Sequence, residues 1–263
     1  MDRKSFLMCL LFSMTAHDAR AGAWTQSQGN GVVILTAAHS MAERAFDASG
    51  SNTLPRDFSK TEIRLYAEYG LTDWATLVAQ PEWRHKKTGD GQGEEVDGLG
   101  RVDAGLRVRL WQGDGKVVSV QASARMPGTS DDLAPANGGD TDWEADARVL
   151  YGRGFSLFGR NGFVDTQLGY RVRFGRPADE LRLDLTAGLN VTPKALVLAQ
   201  SFNTVSVGGA DLPFLDTREH KVSASVVYKV HDKWSVQVGG LLTVAGSNAL
   251  EERGAILGIW RDF

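Results

Sequence analysis

The residues best placed for chemistry in this sequence are charged side chains repeated at every second position. Arg101, Asp103, Arg107 and Arg109 form one run, Glu62, Arg64 and Glu68 another, and Glu144, Asp146 and Arg148 a third. Asp165, Arg171 and Arg173 form a fourth, and Arg182, Asp184, Arg84 and Arg125 complete the set on neighbouring segments. Side chains two apart share one face of a strand. A face carrying both signs at this density suits a water-filled passage, where rings of side chains set the field felt by a passing ion. Kept dry, the same face would need every ion paired, because an uncompensated buried charge costs several kcal/mol. These residues are the expected pore lining, with a weak anion bias. The alternative is a salt-bridge network that props the wall and blocks flow.

Catalytic chemistry finds little support. Beyond position 21 the histidines are His39, His85, His220 and His231. Only His39 stands beside a serine, Ser40, and neighbours on a strand face opposite sides, so they cannot form a nucleophile–base pair with each other. Two places after the histidines stand Met41, Lys87, Val222 and Lys233, none of them a serine. No glycine-rich phosphate loop or zinc-binding pair stands out. The sequence therefore assigns no catalytic residue, no metal ligand and no cofactor. A lipid-modifying hydrolase stays open as an alternative, through a Ser–His pair drawn from separate strands, as does a non-conducting structural or adhesion barrel.

The elements that must position these charges are strands. Ile63, Leu65, Ala67 and Tyr69 alternate with the first charged run, and Val102, Ala104, Leu106 and Val108 with the next. Period-two alternation of this kind marks strands with one apolar and one polar face. About twelve are expected, over roughly 31–46, 59–70, 74–87, 98–111, 116–127, 142–152, 162–174, 180–190, 195–207, 217–230, 233–245 and 251–263. Their connections alternate in length, with tight turns such as Leu71-Thr72-Asp73 and longer loops such as 47–58 and 128–141; the boundary within 153–161 is left open. Two of the longer loops are acidic, with Asp90, Glu94, Glu95 and Asp97 in one and Asp131, Asp132, Asp140 and Asp142 in the other.

Short turns on one side and long loops on the other are what a transmembrane antiparallel β-barrel requires, with both termini in the periplasm. Aromatic residues on the apolar parity support this. Tyr69, Tyr151, Tyr228, Trp234 and Phe263 lie near the short turns, and Trp83, Trp143 and Phe174 near the long loops, as two girdles at a bilayer interface would. Trp111 is the exception, because its parity points inward.

Composition alone conceals this. The chain has 263 residues, a formal net charge of -3, 42% hydrophobic and 23% charged residues, and one cysteine. That balance argues against nucleic acid as a partner. Residues 1–21 read as a secretory signal: a basic Arg3-Lys4, an apolar run over 5–16, and small residues at Ala19 and Ala21. The expected domain division is therefore 1–21 as signal peptide and 22–263 as a single outer-membrane barrel. Cys9 would leave with the signal.

Two stretches carry family resemblances. The closing segment Leu257-Gly258-Ile259-Trp260-Arg261-Asp262-Phe263 resembles the last strand of Gram-negative outer-membrane proteins, which the barrel-insertion machinery reads. Arg261 stands where an aromatic is usual. Glu68-Tyr69-Gly70-Leu71-Thr72-Asp73-Trp74 resembles the strand–turn–strand signature of barrels grouped with the meta-pathway phenol-degradation proteins. Looser copies occur around 190–194 and 228–234. The resemblance implies an outer-membrane uptake channel for small, often aromatic or hydrophobic solutes. Its partners would be outer-membrane lipid, the insertion machinery and those solutes.

Overall fold

A strand with one apolar face is stable only if that face is covered, and its backbone only if both edges are paired. In the computed structural model, which describes residues 22–89, 95–128 and 142–263, the chain meets both needs by rolling one antiparallel sheet shut. The strands are β1 (Gly31–Phe46), β2 (Leu54–Thr72), β3 (Ala75–Thr88), β4 (Glu95–Gly113), β5 (Lys116–Met126) and β6 (Glu144–Leu157). They continue as β7 (Arg160–Arg173), β8 (Asp179–Asn190), β9 (Ala195–Val207), β10 (Arg218–His231), β11 (Trp234–Ser247), β12 (Ala249–Leu250) and β13 (Arg253–Asp262). From β1 to β11 each pairs with its sequence neighbour, β11 pairs with β13, and β1 closes the ring by pairing with both β2 and β13. The two-residue β12 prolongs the line of β13 along β1, so the barrel has twelve staves.

The open boundary at 153–161 resolves into a tight turn. Phe158 and Gly159 carry φ of 50° and 73°, the left-handed pair that suits a two-residue hairpin. Every connection on that side is therefore short. The expected signal segment lies outside the described residues, as do Asp90, Glu94, Asp131, Asp132 and Asp140. Glu95 and Asp97 belong to a strand rather than a loop, in register with Lys87 and His85 of β3.

The outer face is apolar along its whole height. Leu168 is 52% exposed, Val238 60% and Leu257 59%. A patch of this extent would be a liability in water and is what lipid covers. Trp111 joins this face. A bulge between Arg109 and Trp111 shifts the register, so that Trp111 sits opposite Val118 instead of Val117. One extra residue flips every side chain beyond it, and strict counting across the bulge places Trp111 on the wrong side. Arg261 also faces outward, with its guanidinium carbon 5.1 Å from the Trp234 ring centroid, a cation–π contact at the rim.

Candidate functional site

The face that encloses charged side chains to a few per cent exposure must be the lumen of the closed sheet. On β4–β8 it carries a connected ion network. Arg125 grips Asp103 through two bonds of 2.7 and 2.9 Å and reaches Glu144 at 3.1 Å. Glu144 also takes Arg173 at 2.9 Å and Arg171 at 3.4 Å. Arg148 grips Asp146 at 2.7 and 2.9 Å and touches Asp184 at 3.3 Å. Paired bonds of this kind are the strong form of the arginine–carboxylate contact. Arg182 is the loosest member, no closer than 3.9 Å to Asp184 and 4.0 Å to Asp146.

A second group lies on β2 and β3, where Arg64 meets Glu62 at 3.5 Å and Glu82 at 3.1 Å, and Arg84 meets Glu82. It reaches the barrel seam through Lys60, which approaches Glu252 at 3.6 Å. Glu252 sits in the break between β12 and β13 and also holds Ser40 and Lys221. Arg101 is half-buried on β4. The facing wall on β10 and β11 is different: among the described residues its buried polar groups, Ser223, Ser225, Gln237, Thr243 and Ser247, are uncharged, and its ions Glu219 and Lys221 gather at the seam beside Glu252. The lumen thus has an ionic side and, away from the Lys221 cluster, a neutral, hydrogen-bonding side.

Residues 22–30 do not stay outside the barrel. They run through the lumen at the short-turn end before β1 begins. The Ala23 amide donates to Asp165 at 2.6 Å, and the Ala23 carbonyl accepts from Ser119 at 2.6 Å. The Trp24 carbonyl accepts from Arg107 at 3.0 Å. The Gln26 side chain donates to Glu68 at 2.6 Å, and its backbone amide to Thr76 at 2.8 Å. Arg107 and Glu68, the hub of this anchorage, pair at 2.7 Å and are 2% and 1% exposed. Tyr66 donates its hydroxyl to Glu68 and accepts from Arg107. Above them Trp24 fills an apolar band of Val117, Leu150, Phe163, Leu196, Leu198 and Val227, meeting Phe163 edge to face at 6.0 Å. Gly152 makes room for it: a Cβ there would stand 2.6 Å from the indole.

Arg107 and Arg109, adjacent in the alternation, therefore end in different places. Arg107 anchors this inner segment, whereas Arg109 reaches Gln112 near the turn. Sequence reasoning missed Trp24, Tyr66 and the inward apolar band. The available signal was the switch of the inward parity from charged to apolar near the turns, at Val117, Leu150, Phe163 and Val227. It also missed the role of Trp260, which points inward, donates to Gln237 at 2.9 Å and packs on the same band. His39 meets Thr61 on the outer face, while Ser40 turns inward to Glu252.

With this geometry in hand, the comparisons fall into one class. A family model described as Putative MetA-pathway of phenol degradation matches residues 25–257. No curated protein matches the sequence. Among solved structures, the COG4313 outer membrane channel from Pseudomonas putida F1 superposes with a TM-score of 0.71 at 14% identity, covering 92% of this chain and 98% of that one. The KdgM porin, solved with disordered oligogalacturonate, gives 0.53 at 7% identity, over 88% and 99%. The transport unit of the autotransporter AIDA-I from Escherichia coli gives 0.56 at 10%, over 97% and 94%. The fold is that of a Gram-negative outer-membrane β-barrel.

Proposed function

This chain belongs to the phenol-degradation family named by that model, and we propose that it is a narrow outer-membrane channel for passive passage of small solutes. The inner segment is its constriction. The observation that carries this reading is how that segment is held. Residues 22–26 are attached by side-chain hydrogen bonds and one apolar contact band, and backbone pairing with β2 begins only at Gly29 and Asn30, opposite Gly70, so this stretch can leave without opening the wall. Beyond the apolar band the lumen wall is polar on both sides and suits water.

The family's description points to aromatic solutes. The ring of Leu150, Phe163, Leu196 and Leu198 would meet such a solute wherever Trp24 withdraws. Arg182, whose carboxylates stand no closer than 3.9 Å, is the cation of the β4–β8 network most available to a passing anion. Planar-bilayer recording of the refolded mature chain tests this. Discrete steps are expected, larger in Trp24→Ala and with reduced anion preference in Arg182→Ala. Silence from both the parent and Trp24→Ala would make the barrel a non-conducting structural one.

A further inference from the structure

Among the described residues, no cation pairs with the buried carboxylate of Asp165. It lies on β7 and is 3% exposed. Among the described residues its hydrogen-bond donors are neutral, the Ala23 amide at 2.6 Å and the Gln167 side-chain amide at 2.8 Å. The other buried acids are all compensated: Glu68 by Arg107, Glu82 by Arg84, Glu144 by Arg173, Asp146 by Arg148, and Glu252 by Lys221. The nearby Arg107 and Glu68 are occupied with each other. An ionised carboxylate kept from water needs a positive partner, or it costs several kcal/mol.

The residue that presses on Asp165 is Gly22. It has φ of +95°, and a Cβ there would overlap the Asp165 carboxylate, so both backbone and space demand glycine. An ideal Cβ and the amide nitrogen on the same Cα are about 2.5 Å apart. The Gly22 nitrogen therefore lies within about 5 Å of the carboxylate oxygens. This is also the position at which the sequence places the signal cleavage, between Ala21 and Gly22.

We propose that Asp165 is the binding site for the α-ammonium group that processing creates on Gly22, so that the inner segment locks in place only in the processed chain. Hydrolysis of the Ala21–Gly22 peptide by a signal peptidase consumes one water. It leaves a carboxylate on Ala21 and an amine on Gly22, and the amine takes up a proton. Before cleavage that nitrogen is a neutral amide and Asp165 has no counter-ion; afterwards the pair is complete. This rests on the reading of residues 22–30 as the lumen constriction.

Protein purified from outer membranes should begin at Gly22 by N-terminal sequencing; any other start overturns the proposal. Acetic anhydride labelling of the folded protein, read by peptide mapping, should modify the Gly22 amine at least tenfold more slowly than in Asp165→Asn. The labelling-rate curve against pH should also lie higher for the parent than for Asp165→Asn, a shift that burial alone would not give. A second variant keeps Asp165 and inserts one glycine between Ala21 and Gly22, moving the amine away by one residue. It should label as fast as Asp165→Asn. Equal rates and equal pH curves in all three chains would overturn the proposal. Labelling is blind to conductance, so a silent barrel with a protected Gly22 defeats only the channel reading. A conducting barrel with a reactive Gly22 defeats only this one.

Discussion

Arg107 shows how little of a residue's role follows from its type. Its guanidinium joins Glu68, Tyr66 and the Trp24 carbonyl at 2% exposure. Arg107→Ala strands the Glu68 carboxylate and should cost about 3–5 kcal/mol in urea unfolding from lipid vesicles. Arg107→Met combined with Glu68→Gln should recover most of that loss, because removing both charges leaves neither uncompensated. Asp47 offers a contrasting exposed case. Hydrogen bonds from Ser49 and Ser51 hold its carboxyl below the ordinary aspartate value, the Ser49 hydroxyl contributing most. A depressed carboxyl stabilises the fold above its unfolded value of about 3.9 and loses that contribution as pH falls through the lower folded one. Hydrogen exchange at the Ser49 and Ser51 amides should therefore be slower than in Asp47→Ala at neutral pH. The difference should shrink as pH falls below the ordinary aspartate value and vanish once Asp47 is protonated in the folded chain.

The strands make a simpler claim, that one face meets lipid and the other does not. Leu168 stands near the middle of β7 on the outer face. Leu168→Arg should cost about 2–4 kcal/mol of stability in vesicles, falling toward zero for the same change near a rim. This face was legible in the sequence because alternation is local: β1 spans the residues that counting gives, Gly31–Phe46. Counting failed where a bulge adds a residue, as at Trp111, since nothing in residue type marks the extra position. It left a boundary open where β6 runs on to Leu157, past the start of β5 at Lys116. The lumen was legible as a charged face but not as an arrangement. Which arginine meets which acid depends on register and on contacts between strands far apart in sequence. Trp24 was invisible for a different reason: it belongs to no strand, and no period marks a segment that turns back inside.

As a whole, the molecule separates functions that one wall could have mixed. The ionic network spans β2–β8 and touches β10 only at Glu219 and Lys221, and the neutral wall occupies the rest of β10 and β11. The polar contacts of the inner segment described above fall on the first group, at Glu68, Thr76, Arg107, Ser119 and Asp165. Only its apolar band extends to β9, β10 and β13. That distribution has a consequence for how the protein is made. The polar side of the groove that receives the inner segment is complete once β7 has joined the sheet, before β13 meets β1 along Val32 to Met41. The start of the chain can thus dock on a half-curled sheet and act as a former around which the remaining staves bend. The last pairing then closes over a segment already in place, and no later threading through a finished ring is required.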